Sequence, residues 1–273
     1  MTNSPVARLL AAASLLAALA AGGPALAAGV SLEEMTWTEL RDRIAAGATT
    51  ALVPIGGTEQ NGPHMVLGKH NVRVRVLAMR IAERLGNAVV APVLAYVPEG
   101  AIAPPTQHMR YPGTITIPEA AFEATLESAA RSLHQHGLRD IVFLGDHGGY
   151  RQSLERVAAK LNREWAARGK GRVHAVGEYY QASEAGFAEI LKARGFGTDE
   201  IGVHAGLADT ALAMAVDPAL VRGDVAAARA RGAAQDGVTG DPRRASAELG
   251  RLGVEHIVDA TVAAIRTRIR SGQ

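Results

Sequence analysis

Two kinds of apolar segment alternate along the chain from about residue 34 onward. Short runs rich in Val and Ile predict buried strands, and longer segments of Ala, Leu, Arg and Glu predict amphipathic helices. The predicted strands are residues 50–55, 88–95, 141–144 and 173–176. The predicted helices are residues 34–46, 72–85, 118–136, 152–168, 183–194, 206–215 and 245–271, the last with a break near Gly253.

The alternation of strands and helices predicts an α/β fold. We expect a single three-layer α/β/α domain, over residues 29–273, with a mostly parallel central sheet covered on both faces. No Pro-, Gly- or Ser-rich linker divides the sequence, and no repeat is evident. In such sheets ligands bind beyond the carboxyl ends of the strands, so polar residues that follow strands become candidates for function.

Four glycine-containing loops place a histidine beside other polar residues. Because loops that follow parallel strands converge at one edge of the sheet, their polar side chains predict a common site. For His64, which lies in a Gly-Pro turn, a structural role in the turn stands equally beside contact with a ligand. The candidate side chains are Glu59, Asn61, His64 and His70 in residues 56–71, His108 and Arg110 in 104–114, Asp146 and His147 in 145–150, and His204 and Asp209 in 203–210.

The composition narrows the chemistry of such a site. The chain has 273 residues, of which 48% are hydrophobic and 21% charged, as in ordinary globular proteins. It has no Cys, which excludes thiol nucleophiles, cysteine zinc sites and iron–sulfur clusters. Its nine His, together with Asp and Glu, offer nitrogen and oxygen ligands for a divalent cation such as Zn²⁺ or Mn²⁺.

The first 28 residues have the pattern of a secretory signal peptide. Arg8 precedes an apolar run over residues 9–21, a Gly-Gly-Pro break follows, and Ala25-Leu26-Ala27 supplies small residues for cleavage. An uncleaved N-terminal anchor is the alternative. We expect a periplasmic or secreted mature protein, with no membrane contact after cleavage. The net charge of +2 and the scattered basic residues predict no nucleic-acid binding.

Taken together, these loops resemble the creatininase (creatinine amidohydrolase) family. The family pattern G-S-x-E-Q-H-G-P-H-L-P-L-x-T-D is similar to residues 56–70, and N-G-H-G-G-N is similar to residues 145–150. Likewise H-A-G-E-x-E-T-S is similar to residues 204–211, and F-P-G-T-I to residues 111–115. The resemblance implies an α/β/α domain with a divalent metal centre, often binuclear Zn²⁺ or Mn²⁺. It also implies hydrolysis of C–N bonds in cyclic or linear amides, and homo-oligomers.

The resemblance implies a metal centre with altered ligands. Glu59 and His147 match ligand positions of the family, whereas Asn61 stands in place of His and His70 in place of a bridging carboxylate. Since an imidazole does not ordinarily bridge two metals, we expect one ion rather than two. Glu59, His70 and His147 form a His₂Glu set of the kind found in mononuclear zinc sites. Asn61 and Asp146 are further candidate ligands, and Asp146 is also a candidate to orient His147.

Catalytic roles follow from the same resemblance. His204 would polarise the amide or protonate its leaving nitrogen, and Asp209 would orient or assist His204. His64, His108 and Arg110 are the predicted contacts with a small amide substrate. The sequence therefore predicts a metal-dependent hydrolase of C–N bonds that uses an activated water. The alternative is a noncatalytic periplasmic protein that binds small molecules on the same scaffold.

Overall fold

A parallel sheet forms the centre of the fold. The computed structural model describes residues 29–167, 171–222 and 236–271. Within these residues the sheet has the strand order β2-β1-β3-β4, and all three neighbouring pairs are parallel. The strands are β1 (Thr50–Ile55), β2 (Ala88–Val90), β3 (Asp140–Gly145) and β4 (Arg172–Ala175).

The register of the strands aligns their carboxyl ends. Thr50 of β1 pairs with Ala88 on one side and with Asp140 on the other, and Asp140 pairs in turn with Arg172. Ile55 at the end of β1 lies opposite Gly145 at the end of β3. The loops that follow these two central strands therefore leave the sheet side by side.

Helices connect the strands and cover the sheet. The first, α1, begins at a capping box in which the Thr36 hydroxyl accepts from the Glu39 backbone N–H and the Glu39 carboxylate accepts from the Thr36 backbone N–H. A π-helical turn, Ala182–Gly186, connects α5 to α6. The helices are α1 (Trp37–Ala45), α2 (Lys69–Leu85), α3 (Glu119–Gln135), α4 (Arg151–Ala166), α5 (Gly177–Gln181), α6 (Phe187–Lys192), α7 (Thr198–Ile201), α8 (Leu207–Val216) and α9 (Ala247–Ser271).

Each face of the sheet packs against its own layer of helices. Leu52 and Val142 pack on one face, in a core that includes apolar residues of α2, α8 and α9. Val53 and Phe143, one position further along each strand, pack on the opposite face with residues of α1, α3 and α4. Both faces are apolar because a parallel sheet is buried on both sides. The predicted three-layer α/β/α arrangement is confirmed.

Two predicted elements differ from the structure. The second strand was expected over residues 88–95 but ends at Val90, because Pro92 has no N–H to donate. Hydrogen bonding to β1 resumes at Leu94, whose N–H donates to Pro54 O. The predicted break near Gly253 is wrong, since α9 runs unbroken from Ala247 to Ser271. Gly253 instead allows close packing against Leu212 and Phe187.

The start of α2 matters for the site. The helix begins at Lys69, three residues before the predicted start at residue 72, so His70 lies in its first turn. In the described residues, no helix is both long enough and apolar enough to cross a membrane. The predicted signal peptide, residues 1–28, lies outside the described residues.

Candidate active site

The ends of β1 and β3 are tied together by one tyrosine. The Tyr150 hydroxyl accepts from the backbone N–H groups of Asp146 and His147, both at 3.1 Å. The Tyr150 hydroxyl oxygen also lies 2.8 Å from the carbonyl oxygen of Ile55 and 2.7 Å from that of Gly56, to which it donates. Tyr150 is buried, so these bonds are shielded from water. The loop that carries Glu59 and the loop that carries His147 are thereby fixed relative to each other.

Four side chains at this edge form a group that can hold a cation. The candidate ligand atoms of Glu59, Glu99, His108 and His147 all lie within 4.8 Å of one another. Glu59 Oε2 lies 3.3 Å from His108 Nε2 and 3.5 Å from His147 Nε2. Glu99 Oε2 lies 3.8 Å from His147 Nδ1. Two carboxylates and two imidazoles are the donor types that Zn²⁺ and Mn²⁺ accept in proteins.

The carboxyl groups of this cluster have unsatisfied oxygens. Among the described residues, no hydrogen bond reaches Glu59 Oε2 or either oxygen of Glu99, and all three atoms are buried. Burial, followed by the nearby charge of Glu59, raises the pKa of Glu99 to about 9. Ligand atoms of the Glu59 and Glu99 carboxyl groups lie within 4.8 Å of each other. Two buried carboxyl groups so close together are stable when one keeps its proton or when a cation lies between them. The donor set therefore fits a divalent cation.

The imidazoles of the cluster are poised to stay neutral. Burial, outweighing the opposite effect of Glu59, lowers the pKa of His147 to about 4. Burial also lowers the pKa of His108 from its ordinary value. Neutral imidazole is the form that ligates metals, so both rings are in the required state at neutral pH.

His70 has a different environment from the one expected of a ligand. Its Nε2 lies 2.7 Å from Glu59 Oε1, and its Nδ1 lies 2.7 Å from Asp146 Oδ2. Burial and Lys69 act to lower the pKa of His70, but the two carboxylates outweigh them and raise it. The ring thus bridges two carboxylates and lies outside the four-residue group. Its role as a metal ligand stays a prediction.

Asp146 belongs to a buried network of charges behind the cluster. Its Oδ2 accepts from Arg73 Nε at 2.9 Å, and its Oδ1 accepts from the Tyr179 hydroxyl at 2.6 Å. Arg73 in turn donates to Asp209 Oδ1 at 2.8 Å, and Lys69 Nζ lies 3.1 Å from Asp209 Oδ2. Both carboxylate oxygens of Asp146 therefore accept hydrogen bonds within this network. The structure places no bond between its side chain and that of His147.

Two predicted site residues stabilise the loop around them. Asn61 donates through Nδ2 to the carbonyl oxygens of Glu59 and Val66, at 2.9 and 3.2 Å, which closes the turn after Glu59. His64 is buried, and its Nε2 lies 2.9 Å from Thr210 Oγ1. The structure brings neither side chain to the four-residue group, and the roles predicted for Asn61 as a ligand and for His64 as a substrate contact stay predictions.

A cavity of about 460 Å³ opens above the cluster. Of the residues predicted from sequence, those on its wall are His70, His108, Arg110, His147, His204 and Asp209. Gln60 joins two of them, since its Nε2 lies 3.1 Å from His108 Nδ1 and 2.9 Å from His204 Nε2. The predicted catalytic and substrate-binding residues therefore share one cavity, His64 excepted.

His204 and Asp209 differ in protonation. Burial lowers the pKa of His204 to about 4, so the ring is neutral at pH 7. Burial acts to raise the pKa of Asp209, but Lys69 and Arg73 outweigh it and hold that pKa well below its ordinary value. Asp209 also accepts from the backbone N–H of Ala205, next to His204, at 2.9 Å. Asp209 is therefore ionised, and its hydrogen bond from Ala205 fixes the backbone next to His204.

Sequence reasoning missed Glu99 and the two basic residues Lys69 and Arg73, and it also missed Glu184, which lies on the cavity wall. Glu99 follows the extended segment that continues β2, in the sequence Pro98-Glu99-Gly100. The rule that polar residues after strands are functional applies to it as well. No sequence signal distinguishes Glu184 from the many acidic residues on helix surfaces.

Comparison with known proteins supports the resemblance of the loops. A family model described as creatininase, creatinine amidohydrolase, matches residues 33–265. A mycofactocin precursor peptide peptidase of Mycobacterium ulcerans is 31% identical over 232 residues, which cover 78% of this chain and 83% of the relative. A creatinine amidohydrolase of Pseudomonas putida is 32% identical over 118 residues. A mycofactocin precursor peptide peptidase of Mycolicibacterium smegmatis is 37% identical over 118 residues. These two matches cover 43% and 41% of this chain, and the chain spans 45% of the length of each relative.

Solved structures are similar over nearly their whole length. A crystal structure of creatinine amidohydrolase has a TM-score of 0.72 and 26% identity, and the match covers 88% of this chain and 98% of that one. A mutant creatininase of the Zn-Zn type and a manganese form of creatininase match with TM-scores of 0.72 and 0.70, at 26% and 27% identity, with the same coverage.

Proposed function

The chain belongs to the creatininase family, and from this membership we propose that it is a metal-dependent hydrolase of a C–N bond in an amide. The observation that carries the proposal is the group of Glu59, Glu99, His108 and His147, with three buried carboxyl oxygens that lack hydrogen bonds. The relatives are named as an amidohydrolase and as peptidases, which both cleave amide bonds. The exact substrate is not implied by these names.

We assign the four-residue group as the site of one divalent cation, zinc or manganese. Within the described residues it is the one group of this kind. Glu59 Oε1 is engaged by His70, whereas Oε2 lies near His108 Nε2 and His147 Nε2 and faces the cluster. The four residues of the group would hold the cation, which would supply Lewis-acid activation of the amide carbonyl and a water molecule of lowered pKa.

His204 is the proposed general base and acid. Its Nε2 lies 2.9 Å from Gln60 Nε2 and 3.0 Å from the carbonyl oxygen of Gln60, and its Nδ1 lies 4.0 Å from Glu59 Oε1 beside the cluster. The neutral ring has one protonated and one unprotonated nitrogen, and the unprotonated nitrogen would accept a proton from the attacking water and return it to the leaving nitrogen. Asp209 and Gln60 are positioning residues, because each holds His204 or its neighbour in place.

The test combines metal analysis with a substrate screen. The protein is purified without chelator and its zinc and manganese are measured by mass spectrometry. We expect about one equivalent per chain, because the proposed chemistry needs one bound ion. Glu99→Gln and His147→Ala are expected to lower that content, whereas the surface variant Glu189→Gln retains it. Cyclic and linear amides are then screened with metal added back.

Two results would overturn the proposal in different ways. Metal below about 0.2 equivalents in the wild type, unchanged by His147→Ala, would remove the metal site, since the mechanism requires the ion. Full metal content with tight binding of amides but no turnover would instead support the noncatalytic binding protein.

We also propose that residues 1–28 direct export and are removed, so that the enzyme acts in the periplasm or outside the cell. The support is the charged start, apolar centre and Ala-Leu-Ala end of this segment. Intact mass measurement of the protein from a periplasmic fraction is expected to show a chain that begins near residue 28 or 29. A full-length chain in the membrane fraction would favour an uncleaved anchor.

A further inference from the structure

We propose that Glu184 binds a positively charged amine or guanidinium group of the substrate, so that the preferred substrates are amides that carry a cationic group. This inference rests on the proposed function, because it concerns what the same cavity accepts. Three observations support it: the position of Glu184, the lack of a partner for its carboxylate among the described residues, and the placement of Arg110 on the cavity wall.

Glu184 lies on the cavity wall in an unusual backbone segment. It is the central residue of the π-helical turn Ala182–Gly186. Such turns are rare and often occur at functional sites, because they push one residue out of the regular helical pattern. The Glu184 side chain is half-buried and lines the 460 Å³ cavity beside Tyr180 and His204. The turn therefore presents a carboxylate to the space above the cluster.

No described residue forms a hydrogen bond or an ion pair with the Glu184 carboxylate. The nearby basic side chains, Lys69 and Arg73, are both bound to Asp209. Burial, followed by the charge of Asp209, raises the pKa of Glu184 to about 7. A partly buried carboxylate without a partner is unfavourable, and a cationic ligand would relieve it through a charge-assisted hydrogen bond. The site is thus complementary to a cation.

Arg110 is an exposed cation on the cavity wall and belongs to the loop of residues 104–114. A second pocket of about 10 Å³, room for about one water-sized group, adjoins the cavity at the Glu184 end, and Glu184, Val203, His204 and Asp209 line both. No residue of the 104–114 loop lines this smaller pocket. A cationic group at this end of the larger cavity meets Glu184, and the small pocket has room for an ammonium head at most.

Three amides of similar shape and different charge test the substrate class. They are 4-aminobutanamide, which is cationic, pentanamide, which is neutral, and glutaramate, which is anionic. For the metal-loaded wild type we expect kcat/KM for the cationic amide to exceed that for the neutral one about tenfold, the factor of one charge-assisted contact. Longer and shorter ω-amino amides, each against its neutral counterpart, locate the best length.

Variants of Glu184 separate recognition from structure. Glu184→Gln is expected to bring the cationic-to-neutral ratio close to one, and Glu184→Asp to preserve part of it. The matched control is Glu189→Gln, because Glu189 is on the adjacent helix α6, is exposed and pairs with Lys192. It is expected to keep the wild-type ratio. A ratio unchanged in Glu184→Gln, or a preference for glutaramate in the wild type, would overturn the proposal.

A binding measurement keeps this inference distinct from the proposed function. Calorimetric titration with butylammonium, which has no amide bond, is expected to show binding to the wild type about tenfold tighter than to Glu184→Gln, with butanol as the neutral control. If butylammonium binds in this way but no amide is hydrolysed, the proposed function fails and the cation site stands. If amides are hydrolysed without charge preference and butylammonium does not bind, the cation site fails alone.

Discussion

At the scale of single residues, Asp209 balances two buried cations. Lys69 is fully buried, and Arg73 is 1% exposed. Asp209 contacts both of them, and it also accepts from the backbone N–H of Ala205. Charges that are removed from water depend on such partners, and the loss of one partner leaves the others unpaired. The stability of the site therefore depends on Asp209, which is ionised at neutral pH and has no proton to donate in catalysis.

Asp209→Asn is expected to destabilise the protein by about 3 kcal/mol, because it leaves Lys69 and Arg73 short of one buried negative charge. Urea unfolding followed by circular dichroism measures this free energy. The control is Asp259→Asn, which removes an exposed ion pair with Arg84 and is expected to change stability by less than about 1 kcal/mol. Equal effects of the two substitutions would contradict the role given to Asp209.

The preference for cationic amides is expected to depend on pH. Because the pKa of Glu184 is raised to about 7, its carboxyl is neutral below that pH and negatively charged above it. The kcat/KM ratio of cationic to neutral amide should therefore rise as the pH increases through about 7. The charged groups that act on Glu184 are Asp209 of α8 and Lys69, His70 and Arg73 of α2.

Rates of 4-aminobutanamide and pentanamide, measured from pH 6 to pH 8, check this dependence. Comparing the two amides removes effects that are common to both, such as titration of the catalytic groups. In Glu184→Gln the ratio should stay flat. A ratio that falls with rising pH in the wild type would contradict the assignment.

Part of the site was predictable from sequence, and the reason is topological. Glu59 and His147 each follow a central strand, and parallel strands bring such residues to one edge. The same reasoning could not show that His70 bridges Glu59 and Asp146, because this contact depends on where α2 begins. It could not find Glu184 either, since the π-helical turn that exposes its carboxylate has no signature in the sequence.

At the scale of elements, glycine residues determine how α8 and α9 pack. A Cβ on Gly250 would overlap the Ala211 carbonyl oxygen and would lie 2.7 Å from the Ala215 side chain. The backbones of the two helices therefore approach each other closely at this point. Glycine in a helical pattern usually predicts a break, which explains the wrong expectation at Gly253. Whether a glycine interrupts a helix or permits close packing depends on the neighbouring helix.

Gly250→Ala tests this contact. Alanine favours an isolated helix by about 1 kcal/mol, yet the overlap with α8 is expected to destabilise the protein by about 2–3 kcal/mol. The control is Gly177→Ala at the start of α5, where the new Cβ would meet only Arg151, at 3.8 Å. That change is expected to be neutral or slightly stabilising. Thermal unfolding of both variants measures the difference, and a stable Gly250→Ala would show that α8 and α9 can separate without loss.

At the scale of the whole molecule, the site joins parts of the chain that are distant in sequence. Glu59 follows β1, Glu99 follows the segment after β2, and His147 follows β3. His108 lies in the loop of residues 104–114 and contacts Gln60, which in turn bonds to Gly237 O at 3.1 Å. A cation that binds these residues binds only the folded chain, because unfolding separates its ligands. Metal affinity and folding stability are therefore linked.

This linkage predicts a thermal shift that requires no substrate. Free zinc or manganese at about one hundred times its dissociation constant should stabilise the fold by about 2.7 kcal/mol, which raises the Tm of a chain of this size by about 5–10 °C. Glu99→Gln and His147→Ala should each lose most of the shift, measured against their own metal-free Tm. The control is His136→Ala, since His136 is exposed at the end of α3 and belongs neither to the four-residue group nor to the cavity wall, and this variant should keep the full shift. If Glu99→Gln keeps the Tm shift and His70→Ala loses it, the ion binds at His70, between Glu59 and Asp146, and not at Glu99. Calorimetric scans with and without metal distinguish these two placements without reference to activity.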